Sequence, residues 1–158
     1  MNAPLESGRI SRLFNSPLEC GLRMLFLLDA ARGQPADLQR LVCYDYLLVH
    51  SGDVPGGPDS LHPAVPFRGT ELLIKRDLVK AGLNQMFSRE LLQKTFDFSG
   101  ISYRGTALTG AFIALMTTKY ADGLRFRSKW VVKNFGALND SRAVGVYDRE
   151  CWTLGRGI

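Results

Sequence analysis

Three sets of residues in this 158-residue chain have the types and spacing to do chemistry. The first set is cationic. Arg76, Lys80 and Asn84 recur every four residues, as do Arg125, Lys129 and Lys133, so each row lies along one side of a helix. Such rows can meet a phosphate backbone or an acidic protein surface, and they equally suit a solvated helix face. Lys119, Arg127 and Arg104 add charge near the second row, whereas Asp77 weakens the first. The second set is one residue. Asp45 falls between Leu41-Val42 and Leu48-Val49, on the stripe that a helix would bury. A carboxylate there is costly unless it is paired or hydrogen-bonded. Tyr44, Tyr46 and His50 flank it, and a loop rich in proline and glycine follows. Asp45 is therefore expected to clasp that loop to its helix through backbone amides, a structural role rather than a catalytic one. The third set is His50, Asp53 and His62. Their spacing matches no standard zinc arrangement and no cysteine lies close, so loop histidines held by hydrogen bonds are expected.

Nothing else in the chain supplies a reaction. The sequence has no GxSxG, no P-loop and no HExxH. The run Gly52-Asp53-Val54-Pro55-Gly56-Gly57 is glycine-rich but lacks the lysine and the strand-to-helix setting of a phosphate cradle. No catalytic residue, cofactor or metal is expected. Cys20, Cys43 and Cys151 are odd in number and far apart, which argues against a disulfide framework or a CxxC site. Cys20 and Cys43 sit in apolar helical patterns and should be buried as small hydrophobes. A reducing cytoplasm is the simplest setting.

These residues need elements to hold them. Apolar residues make up 46% of the chain and charged residues 22%, values of an ordinary globular chain with a core. No apolar run is long enough to span a membrane, and residues 1–12 lack the apolar stretch of a secretory signal. A formal charge of +5 is compatible with nucleic acid without requiring it.

Ser16, Pro17 and Glu19 read as N-cap, N1 and N3 of a first helix carrying Leu18, Leu22, Leu25 and Leu28, which Gly33 and Pro35 stop. Asp37 caps a second helix with Leu38, Leu41, Val42, Leu48 and Val49 on one face. Residues 53–69 hold Pro55, Gly56, Gly57, Pro58, Pro63 and Pro66, which forbid a long regular element. A loop of that length is usually functional or disordered. Residues 70–88 form a third helix with Leu72, Val79, Leu83 and Met86 inward. Its register shifts near Lys75-Arg76, predicting a kink or break before Asp77. Residues 91–98 and 101–104 form a β-hairpin about Ser99-Gly100. Gly105 or Thr106 caps a helix with Leu108, Phe112 and Leu115. Residues 119–135 form another, with Tyr120, Leu124, Val131 and Phe135 inward. Asn139-Asp140 could cap a short terminal helix ending near Leu154-Gly155. Phe96, Phe98, Tyr103, Phe112, Trp130 and Trp152 are candidate core residues, some of which must mark a partner surface if the chain has no chemistry of its own. Three helices, a hairpin and further helices give a mainly α fold with a small β-hairpin, winged helix-turn-helix-like, plus C-terminal helices. Residues 1–136 are expected to form this domain, with 137–158 a separate tail.

Several stretches carry a family likeness. FNSPLECGLR at residues 14–23 resembles the opening of the small middle components of bacterial ABC-three-component systems. The likeness is stronger at DLQRLVCYDYLLVHSGDVPGGPDSLHP, residues 37–63, and continues through FRGTELL at 67–73 and through residues 100–136. YDYLLVHSGD followed by GGPDSLHP is its most specific part, and the tail after Gly136 departs from it. The resemblance implies partners: an SMC-like or Rad50-like ATPase and an effector, often a nuclease. The Lamassu antiphage and antiplasmid systems are one branch of that group. The middle component would be a non-catalytic adaptor between the two, in the cytoplasm and without a membrane. The shared motif falls on Asp45, His50, Ser51, Gly52, Asp53, Gly56, Gly57, Leu61, His62 and Pro63, which become candidates for partner docking or loop architecture. Arg76, Lys80, Arg104, Arg125, Lys129 and Lys133 are the candidates for contact with double-stranded DNA or an acidic partner. The alternative is a stand-alone winged-helix transcription regulator, a dimer reading a palindrome.

Overall fold

A computed structural model describes residues 16–63 and 68–136. Helix α1, Pro17–Ala30, starts where Ser16 accepts a hydrogen bond from the Glu19 amide at 3.2 Å, with Pro17 in its first turn. It ends in two left-handed residues, Arg32 at φ 49° and Gly33 at φ 82°. A two-residue strand, β1 (Ala36–Asp37), leads into α2, Leu38–Val49. The Asp37 carboxylate caps α2 by accepting from the Arg40 amide at 2.8 Å. A 3₁₀ turn at Ser51–Asp53 opens the proline- and glycine-rich segment. Then come α3 (Arg68–Ser88), the strands β2 (Gln93–Asp97) and β3 (Gly100–Arg104), α4 (Ala107–Ile113) and α5 (Lys119–Phe135). Thr118 caps α5, its hydroxyl accepting from the Ala121 amide at 3.1 Å.

The three strands form one antiparallel sheet in the order β1-β3-β2, with Ala36 opposite Tyr103 and Phe96 opposite Ile101. A helix, a short strand, two helices and a hairpin that closes on that strand make the winged helix-turn-helix order, followed here by α4 and α5. The expected mainly α fold with a small hairpin is the observed one. Strand β1 was not expected, because two residues beside Pro35 carry no readable alternation.

Helix α2 is the centre of the molecule: every residue from Leu41 to His50 is buried. Helices α1 and α3 pack on it and on each other, and α5 lies across α1 and α2. The α1–α3 crossing is close because two glycines meet there. A Cβ on Gly82 would stand 2.5 Å from the Gly21 amide nitrogen and the Pro17 carbonyl oxygen. Cys20 and Cys43 are buried free thiols, as expected.

Several sequence expectations are corrected. Helix α3 is continuous, with no break before Asp77. What looked like a register shift is a buried cation, Lys75, only 2% exposed, with Ile74 facing solvent. In α1 the expected stripe is displaced: Leu18 is exposed and Leu22 half-buried, while residues 23–28 are buried all round because α1 has neighbours on several sides. In α4, Thr109 and Ile113 turn inward and Leu108 faces out, and Leu115, expected on the same helix, lies beyond its end and is exposed. The Thr109 hydroxyl donates to the Leu91 carbonyl, tying α4 to the segment that leads into β2. Tyr120 is partly exposed rather than core. The terminal helix expected after Asn139-Asp140, Cys151, Trp152 and the side chain of Leu72 lie outside the described residues.

The glycine crossing generates a prediction. Gly82→Ala should lower the unfolding free energy by about 1–3 kcal/mol through overpacking, seen as a lower urea midpoint with an unchanged slope. An unchanged midpoint would contradict the close approach of α1 and α3.

Candidate functional site

The interior of the three-helix unit holds an ionic group. Asp45, fully buried in the middle of α2, accepts from Arg23 Nε at 2.6 Å on one oxygen and from Arg23 Nη2 at 3.1 Å on the other. Lys75 Nζ lies 3.3 Å from that second oxygen and 5.6 Å from the centre of the Tyr46 ring. The group therefore pins α1, α2 and α3 to one point. Burial alone would raise the Asp45 pKa. The Arg23 guanidinium, and then Lys75, overcome that and hold the carboxyl well below the usual carboxylate range. Burial likewise disfavours the charge on Arg23, and the Asp45 carboxylate more than restores it. Arg23 also donates to Cys20 Sγ at 3.2 Å. Burial first, and the Asp45 charge second, push the Cys20 thiol up to about 11, so it stays protonated and inert.

This corrects the sequence reading of Asp45. Its partners are the cations of α1 and α3, not amides of the loop that follows α2. An ionised carboxylate at mid-helix faces the packed neighbours, and the loop begins more than a turn further on. Neither Arg23 nor Lys75 was singled out in sequence. Their signals were available: a cation inside the apolar run of α1, and the apparent phase slip in α3.

The segment after α2 is a compact strap on the surface of α5. The amides of Leu61 and His62 both donate to the Val49 carbonyl at 3.0 Å, closing the segment back onto the end of α2. Ser51 Oγ donates to the Asp59 carbonyl at 3.0 Å, and the Gly52 amide donates to Ser60 Oγ at 2.9 Å. Tyr46 OH donates to Asp53 at 2.8 Å, and Arg127 Nε of α5 donates to the Asp59 carbonyl at 2.8 Å. Gly56 turns the chain at φ 79°, and a Cβ on Gly57 would strike the Ser51 carbonyl and the Trp130 ring. His50 is buried at the end of α2, its ring 4.8 Å from that of Tyr46 and 6.4 Å from that of His62.

Hydrogen bonds through Tyr120 join the strap to the ionic group. His62 Nε2 and Tyr120 OH are 2.7 Å apart, and Tyr120 is in turn hydrogen-bonded by Arg23. Burial, with the positive charges of Arg23 and Lys75 behind it, pushes the His62 pKa down to about 3. The ring is neutral and shares a hydrogen bond with the Tyr120 hydroxyl. His50, Asp53, Gly56, Gly57 and His62 are thus brought together in one strap, and Asp45 lies behind them, connected through Arg23 and Tyr120. Among the described residues no three of His, Cys, Asp and Glu are placed to hold a metal ion. Each polar group of the network holds another in position.

The cationic rows fare differently. On α3, Arg76 and Lys80 are exposed, Arg76 donating to Gln39 at 3.0 Å. Asn84 accepts from Lys94 of β2 at 3.1 Å, so this face continues onto the wing. Arg104 is exposed there and donates twice to Gln93, at 3.0 and 2.9 Å. The α5 row does not survive as one surface. Lys129 and Lys133 are exposed, but Arg125 is half-buried. It donates to Asp122 at 2.7 Å and to the Ile113 and Met116 carbonyls at 3.1 Å, with its guanidinium 5.6 Å from the Phe26 ring. Helical spacing was right, but the packing of α5 turns that position toward the open carbonyls at the end of α4. The aromatics of the hairpin were expected in the core as well. Tyr103 is buried, whereas Phe98 is fully exposed and Phe96 is 74% exposed, with Ile101 and Phe87 also facing solvent.

A family model for the ABC-three component (ABC-3C) system Middle Component 2 matches residues 13–154, a span that holds every described element. The chain belongs to that family. Comparison with curated proteins and with solved structures returned no match. As a middle component 2, the chain is one member of a multi-component system, and the ionic group, the strap and the wing all fall within the matched span. No described helix of this middle component is long and apolar enough to cross a membrane.

Two measurements test the network. Asp45→Asn leaves Arg23 and Lys75 buried without their anion, and should cost about 3–5 kcal/mol of unfolding free energy. The combined Arg23→Met, Asp45→Leu, Lys75→Met variant should recover most of it. An Asp45→Asn chain with unchanged stability would contradict the arrangement. His62 ionises near its ordinary value when unfolded and near 3 when folded. The unfolded chain therefore takes up a proton that the folded chain refuses, and stability falls as pH drops from about 6.5 towards 3. Urea midpoints measured from pH 7.5 to pH 5 should decline in the native chain and decline less in His62→Gln. Equal slopes would contradict a buried neutral His62.

Proposed function

We propose that the chain is a non-catalytic adaptor of a bacterial defence system, one that links an SMC-like or Rad50-like ATPase to an effector nuclease in the cytoplasm. The observation that carries this reading is the wing. Phe96, Phe98 and Ile101 stand in solvent on the hairpin, with Phe87 exposed at the end of α3. Aromatic and aliphatic side chains exposed together favour a protein partner, because covering them recovers the hydrophobic free energy they forgo in water. Asp97 at the hairpin turn disfavours a phosphate backbone at that tip. The buried network supports the same reading, since Asp45, Arg23, Lys75, Tyr120 and His62 are engaged with one another. The mechanism is coupling: a DNA-dependent state of the ATPase alters its interface with the adaptor, and the effector is released or assembled. That requires the adaptor to have different affinities for the two states.

A second contact is favoured by the outer face of α3. Arg76 and Lys80 are exposed and run towards Lys94 and Arg104 on the wing, a row suited to double-stranded DNA. The same row is what a stand-alone winged-helix regulator would use.

Co-expression with the other two components of the system tests the adaptor. Phe96→Asp with Phe98→Asp should abolish co-purification of at least one component while leaving the melting temperature within a few degrees of native. Undiminished co-purification would contradict docking through the wing. Arg76→Ala with Lys80→Ala should lower duplex-DNA affinity about tenfold at low salt if the α3 face touches phosphate. A duplex bound equally by both chains would exclude it.

A further inference from the structure

We infer that the outer edge of β2 pairs with the β2 edge of a second copy of this chain, the two strands running antiparallel about Thr95. The inference goes beyond the adaptor reading and does not depend on it. Strand β2 is last in the order β1-β3-β2, so among the described residues one side of it has no neighbouring strand. Its register fixes which groups are open. Asp97 and Gly100 face each other across a two-residue turn, which makes them a hydrogen-bonded pair, and Thr95–Ser102 and Gln93–Arg104 follow at every second position. The amides and carbonyls of Lys94 and Phe96 therefore point away from β3, and no other described segment bonds them. A row of unpaired main-chain donors and acceptors specifies an extended strand as its ligand. Edges that must stay single are guarded by proline, a bulge or a projecting lysine. Strand β2 has no proline and its register is uninterrupted. Its lysine is turned back on the molecule, Lys94 Nζ donating to Asn84 at 3.1 Å with the Phe87 ring 4.4 Å away.

The side chains select a second copy as the occupant. A two-fold axis through Thr95 sets Lys94 opposite the partner's Phe96, and Phe96 opposite the partner's Lys94. Four hydrogen bonds then satisfy the open groups of both edges. Phe96 is 74% exposed and Phe87 44%. Because Lys94 lies across Phe87, the partner's Phe96 comes to rest beside that ring, and each copy covers an apolar side chain of the other. On the opposite face, Asp97 stands opposite the partner's Gln93, beside the arginine that Gln93 holds in each copy. The acid of each hairpin thus meets the base of the other. An edge that carries both signs in this order is complementary to itself rather than to a partner of one charge. Phe98 in the turn and Ile101 on β3 stay outside the paired residues and remain exposed for another component.

Sedimentation equilibrium of the isolated full chain tests the pairing. From about 1 μM to about 1 mM, the span of weak affinities, the mean mass should rise from monomer towards dimer, because five-residue strands bury little area. Phe96→Pro removes an open N–H and none of the β2–β3 bonds, so it should keep the native circular dichroism and stay monomeric. The register is read with cysteines in a Cys151→Ser background, Cys20 and Cys43 being buried. Thr95→Cys faces its own copy with Cα atoms about 4.5 Å apart, and mild oxidation should link it as a disulfide dimer. Gln93→Cys, displaced from its own copy, should not link. A chain that stays monomeric throughout would overturn the pairing, as would a folded Phe96→Pro chain that dimerises like native. Equal linking of Thr95→Cys and Gln93→Cys would overturn it too. A monomeric chain that still co-purifies with the other components would leave the adaptor reading intact.

Discussion

The carboxylate at the centre of α2 sets the terms for everything packed around it. Asp45 is fully buried from bulk solvent, so it is tolerable only while Arg23 and Lys75 are delivered to it from α1 and α3. That requirement orients the three helices at once. The close passage of Gly21 and Gly82 lets α1 and α3 approach each other as they bring their cations to the same carboxylate. The same group reaches outward as well. Arg23 holds Tyr120, Tyr120 holds His62, and His62 closes the strap on α5. The helical core, the strap and the last helix are thereby one mechanical unit.

A unit of this kind agrees with the adaptor role proposed above. The residues that first invite a catalytic or metal-binding reading, His50, Asp53 and His62, are occupied in holding the strap closed. The side chains that face solvent unsatisfied are apolar ones on the wing. The division is physical. Polar chemistry is turned inward, where low dielectric makes each hydrogen bond count, and among the described residues hydrophobic surface is left outside. Membership in the middle component 2 family agrees with a chain that works in company.

Much of this was legible in the residues, and the failures share a cause. Caps were legible because they depend on local geometry: Ser16, Asp37 and Thr106 lie at helix starts as their types predict. The hairpin turn and the buried thiols were legible for the same reason. Asp45 was recognised as a buried carboxylate, yet its partners lie 22 and 30 residues away and no local pattern names them. Lys75 was visible only as a disturbance of the α3 stripe, and it was mistaken for a kink. Arg125 matched its row by spacing but is turned by packing towards the end of α4. Phe96 and Phe98 read as core because aromatic residues usually are, and only the tertiary structure shows that among the described residues none covers them. Local rules saw the elements. Contacts between distant segments decided the surfaces.

Amide hydrogen exchange on the isolated chain tests the central claim most directly. If the buried ionic group and the Tyr120–His62 bond make the strap part of the core, the Leu61 and His62 amides, both bonded to the Val49 carbonyl, should exchange as slowly as the amides of α2. Exchange of these two amides at rates typical of an open loop, while α2 stays protected, would contradict the account.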